Sequence, residues 1–98
     1  MQRSVDEVRE LWREQSSEAF PDDCRGQAID GIDLVLLDST VAGCIDSWIA
    51  ANGRLDKDRL AILQKCQGCL AAICPLLKGE ARRYYEKWVQ ITRLALRG

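Results

Sequence analysis

Ninety-eight residues, 47% apolar and 30% charged, suit one folded domain with a single core; the chain is too short for a second core and too apolar for a disordered chain. The formal charge of −1 conceals a split, because residues 1–50 carry four Arg against eleven Asp or Glu while residues 51–98 carry ten Lys or Arg against four acids. With no histidine, Ser-His and Cys-His catalysis and any zinc site that needs imidazole are excluded; five cysteines, an odd number, without an apolar leader or membrane-length stretch argue for reduced thiols in a cytosol.

The first helix is expected from Ser4, where Ser4 and Glu7 make a capping box that satisfies backbone donors left open at a helix start. At about 100° per residue, Val5, Val8, Trp12 and Ala19 share one face, with Leu11 beside it. Phe20-Pro21-Asp22-Asp23 breaks this segment. A second helix is predicted from about Asp30 to Ala51, stopping at Asn52-Gly53, where glycine takes the left-handed cap conformation without a Cβ penalty. Its main stripe is Leu34, Leu37, Val41, Cys44, Ile45 and Trp48. Ser39, Gly43, Ser47 and Ala50 form a second face of small side chains, so this helix is expected to be packed from both sides.

The third helix is predicted after Asp56, the expected N-cap, with Leu55 folding onto Leu60 as a hydrophobic staple. Ile62, Leu63, Cys66, Cys69, Leu70, Ile73, Cys74 and Leu77 fall on one arc, and Pro75 kinks the last turn or ends the helix at Cys74. Lys78-Gly79 is a connection short enough to force a helical hairpin with a fourth helix from Glu80 to about Leu96. That helix carries Tyr84, Tyr85, Trp88, Ile91 and Ala95 on one side and Arg82, Arg83, Lys87, Arg93 and Arg97 on the other.

Candidate chemistry is sparse. Cys66-Gln67-Gly68-Cys69 pairs two thiols at the spacing of redox or thiolate metal sites, but it lies mid-helix in an apolar arc, where cysteines pack as small hydrophobes. The run Asp33-Leu34-Val35-Leu36-Leu37-Asp38 resembles the strand that delivers a phospho-accepting Asp in response-regulator receivers. The other strands of that fold find no room, and helical spacing continuing to Trp48 decides for helix. On that helix Asp38 falls on the apolar side, where an unpaired carboxylate is costly, so it is expected either at the edge in water or against an Arg or Lys. The cationic row of the last helix would suit phosphates, but its aromatics lie on the opposite side and Glu86 interrupts it, which weighs against nucleic acid.

The reading is an all-α, single-domain four-helix bundle-like fold over residues 1–98, with helices 2 and 3 central. The expected function is a small cytoplasmic, non-enzymatic protein-interaction or regulatory domain. It is expected to bind a protein partner or itself as a homodimer, through the small face Ser39, Gly43, Ser47 and through charge complementarity at Arg82, Arg83, Lys87, Arg93 and Arg97. No cofactor, metal or membrane is expected. The alternatives are a nucleic-acid-binding domain using the last helix, or an enzyme or metal site built on Asp38 and the Cys66/Cys69 pair.

Overall fold

The computed structural model describes residues 2–97, with side chains from Val5 to Arg97. Four helices form, joined by short turns and one small hairpin: α1 (Gln2–Ser17), β1 (Ala28–Ile29), β2 (Ile32–Asp33), α2 (Leu34–Ala50), α3 (Lys57–Ile73) and α4 (Gly79–Arg97). The fold is the all-α bundle that the hydrophobic spacing predicts. Helix α1 packs chiefly on α4, α3 packs on both α2 and α4, and α2 and α4 each touch all three other helices. Thus α2 and α3 lie against each other as expected, and α4 shares the central position with them.

Helix α1 already runs from Gln2, ahead of the expected cap, and the side chain of Ser4 lies outside the described residues. Val5 and Val8 are buried and Leu11 and Trp12 half-buried, but Ala19 is exposed beyond the helix end. The inward position one helical repeat after Val8 belongs instead to Gln15, which is buried.

The predicted start of α2 at Asp30 is corrected by a hairpin. Ala28 pairs with Asp33 and Ile29 with Ile32, and between them Asp30 and Gly31 both have positive φ, 56° and 78°. Two consecutive left-handed residues make the tight turn that matches the twist of paired strands, and Asp-Gly is a favoured sequence for it. Asp33 then caps α2, its Oδ1 accepting from the Leu36 amide at 2.9 Å. At the other end Asn52 takes the left-handed conformation at φ 59°. Its amide bonds Ile49 O at 3.0 Å, and the Gly53 amide reaches back to Trp48 O at 2.7 Å. This double closure ties down two carbonyls that the helix end leaves open.

Asp56 caps α3 as expected, accepting from the Arg59 amide at 2.8 Å. The buried arc is narrower than predicted: Leu63, Cys66, Leu70 and Ile73 are buried, Cys69 is half-buried, and Ile62 is exposed. Pro75 ends the helix, the chain tightening into a single 3-10 turn over Cys74–Leu76. On α4 the predicted stripe of Tyr84, Tyr85, Trp88, Ile91 and Ala95 is buried, joined by Thr92.

Candidate functional site

Among the described residues, Asp38 meets no cation. It is half-buried at the edge of the apolar side, one of the two positions expected for it; in place of the alternative Arg or Lys, its Oδ1 accepts from the Tyr84 hydroxyl at 2.6 Å and from Trp88 Nε1 at 2.8 Å, two neutral donors from α4. The choice of partner has a simple cause: the face of α4 that meets α2 is its aromatic stripe, and the cations of α4 lie on the other side. Burial, followed by the bond to Asp38, holds the Tyr84 hydroxyl well above the ordinary phenol range. Tyr85, also pushed up mainly by burial, donates to Leu34 O at 2.7 Å. Both hydroxyls are thus neutral donors that fix α4 to the start of α2.

The five cysteines are free thiols, four of them buried. Burial pushes Cys66 up to about 11 and raises Cys24, Cys44 and Cys74 as well, so these thiols stay protonated and poorly nucleophilic near neutrality. Cys44 points its thiol at Arg59 O, 3.9 Å away. Asp38 is not brought to the Cys66/Cys69 pair, since it faces α4 while those cysteines face a groove between α2 and α3. Among the described residues, no three His, Cys, Asp or Glu side chains come together as a metal-binding group.

The five cations proposed on α4 divide into two sets. Arg82 pairs with Glu86 at 3.0 Å and Lys87 reaches Glu18 beyond the end of α1 at 2.6 Å, whereas Arg83, Arg93 and Arg97 are exposed and make no ion pair among the described residues. Lys87–Glu18 is the only ion pair among the described residues that joins distant segments; the others are three or four residues apart. Lys87 and Arg83, with Glu18, Glu80, Phe20 and Tyr84, line a polar cleft of about 490 Å³ between α4 and the segment that follows α1.

The small face of α2 is open. A Cβ added to Gly43 would meet nothing within 4 Å, and Ser39 and Ala50 are exposed with Ser47 half-buried. Among the described residues no helix packs against Gly43, so the expectation that α2 is covered on both sides is not met within them. At the start of the same face Leu36 stands 64% exposed, and beside it runs a groove of about 510 Å³ between α2 and α3. Leu36, Leu37, Ile32, Ile62, Cys66 and Cys69 give it an apolar lining; Asp33 and Lys65 stand on its walls. Spacing contains the signal for this surface. Leu36, Gly43 and Ser47 lie within about 40° of one another on a helical projection, while the core stripe accounts for Leu34 and Leu37 without Leu36.

In comparisons with known proteins, no family model matches the chain, and no curated protein and no solved structure matches it.

Proposed function

We propose that the chain is a small non-enzymatic interaction domain that binds protein through the outward face of α2 and the groove between α2 and α3. The observation that carries this reading is the position of Leu36. A leucine 64% exposed, at the head of a small-residue face and at the lip of an apolar groove that also holds the exposed Ile62, is a contiguous apolar surface rather than a scattered one. Arg83, Arg93 and Arg97, which are exposed and make no ion pair among the described residues, supply a second, charged surface suited to acidic protein. Nucleic acid is the weaker partner, because Arg82 and Lys87 already serve acids and the aromatic rings that would stack on bases are buried. Five free thiols, four of them buried, suit a reducing compartment such as the cytosol. No described helix is long and apolar enough to cross a membrane.

Selection of displayed peptides on the folded chain tests the reading. The expected binders carry apolar side chains at helical spacing, the pattern by which a helix fills a groove. Their affinity is expected to fall at least about tenfold in Leu36→Lys and in Ile62→Lys, each of which removes an apolar anchor. Both variants should keep the parental melting temperature, because the replaced side chains are exposed. Binders indifferent to both substitutions overturn the reading.

A further inference from the structure

We infer that the occupant of the groove between α2 and α3 is a second copy of this chain, with α2 of each copy laid across α3 of the other about a two-fold axis; the inference rests on the interaction reading above. In a two-fold interface the same patch faces itself, so it must be complementary to its own image. This groove meets that condition in charge. Asp33 stands on the wall made by β2 and the start of α2, Lys65 stands on the wall made by α3, and neither makes an ion pair among the described residues. A rotation that carries the α2 wall onto the α3 wall sets Asp33 of each copy against Lys65 of the other, so both charges are matched at once. An unrelated helix would have to supply both signs at the right separation.

Shape agrees with charge. Leu36 protrudes from the α2 wall, and the hollow beside it, about 510 Å³ and floored by the buried Leu37 and Cys66, has room for a leucine side chain. The same rotation inserts Leu36 of each copy beside Ile62 and Cys69 of the other. Further along α2, the open space at Gly43 lets the second copy's backbone approach without a side chain to displace. The near-zero formal charge of −1 leaves little long-range repulsion between copies.

Sedimentation equilibrium of the full chain, from micromolar to about millimolar concentration, tests the pairing over the range where weak specific contacts form. The parent is expected to reach twice the monomer mass, and Leu36→Lys to remain monomeric with the parental circular dichroism and, at concentrations where the parent is also monomeric, the parental melting temperature. Asp33→Lys and Lys65→Asp are each expected to weaken the dimer by at least about tenfold, as loss of a well-placed interface contact does. An equimolar mixture of these two variants should restore the dimer, since only the mixed pair has opposite charges on both contacts. Because Asp33→Lys also removes the cap of α2, Asp33→Asn serves beside it: asparagine keeps the cap, loses the charge, and should give a smaller loss than the reversal.

A parent chain monomeric throughout overturns the inference. The displayed peptides then separate the two readings, since peptide binding lost in Leu36→Lys leaves the interaction reading standing, and its absence overturns that too. A dimer indifferent to Leu36→Lys and to the charge exchange also overturns the inference, because it pairs through another face.

Discussion

Asp38 shows how one side chain can be legible in type and illegible in role. Its place on the apolar side of α2 required water at the edge or a partner, and the cations of the basic half were the partners the sequence offered. Which face of α4 turns toward α2 is decided by aromatic burial, so the partners are Tyr84 and Trp88. Asp38→Leu is expected to cost about 2–4 kcal/mol in chemical unfolding, because it strands two buried donors, whereas Asp38→Asn, which can still accept, should cost about 1 kcal/mol. Gln15 escaped notice for the opposite reason: a polar residue at an inward position looks like a surface residue until its amide is seen to donate to Tyr84 O at 3.0 Å. The buried thiols set a pH limit. Cys66 titrates at about 11 in the fold against 9.0 as a free group, so between these values the unfolded chain has released a proton that the native chain retains. Between neutrality and about 9 these groups should therefore leave stability unchanged; it should fall as pH rises from there through about 11, and fall further above about 10.0, where tyrosine ionises in the unfolded chain while Tyr84 and Tyr85 stay protonated in the fold. Denaturant midpoints measured across that range check the sign; a midpoint that rises there contradicts the buried, protonated thiol.

Three helix ends were legible from a chemical marker, while the capping box at Ser4 was not the start of α1. Asp56 capped α3, Pro75 closed it, and Asn52-Gly53 closed α2, each for the local reason the sequence offers. The miss at Asp30 arose from the same kind of marker, read too late in the chain: Asp-Gly between two isoleucines is a hairpin signal, and helical periodicity continuing downstream overshadowed it. Gly53 has a second constraint besides its φ of 93°, since an added Cβ would lie 3.1 Å from Val5 Cγ2 and 3.5 Å from the Trp48 ring. Gly53→Ala is therefore expected to cost about 1–3 kcal/mol, from backbone strain and a crowded contact with α1. Gly43 sits on the outside of α2 with open space, and Gly43→Ala there should gain up to about 1 kcal/mol by restoring helix propensity. Thermal melts of the two alanine variants should shift in opposite directions; equal shifts would mean that the two glycines see the same surroundings.

At the scale of the whole molecule, α4 carries five cations against two acids, whereas α1, which lies against it, is nearly balanced at three Arg against four acids; the acidic excess of the first half follows α1, seven acids against one Arg over residues 18–46, and its first member stands at the boundary with α4. One ion pair, Glu18–Lys87, spans that boundary among the described residues, and both side chains are partly solvated. Glu18→Gln should accordingly change the unfolding free energy by less than about 1 kcal/mol, with little further change in high salt, since exposed pairs contribute little and are screened. A larger loss would show that the boundary, and not the aromatic core, holds the terminal helices together. That core is assembled from opposite ends of the chain: Trp12 lies 5.9 Å from Trp88, Phe20 meets Tyr84 edge-on at 5.6 Å, and Gln15 bonds Tyr84 O. During synthesis the ribosome delivers α1 first and α4 last, so for most of translation Trp12 and Phe20 emerge without the rings that cover them, and Asp38 without its two donors. Folding of the nascent chain is therefore expected to wait until α4 has emerged, which protease protection of ribosome-bound chains of increasing length would check.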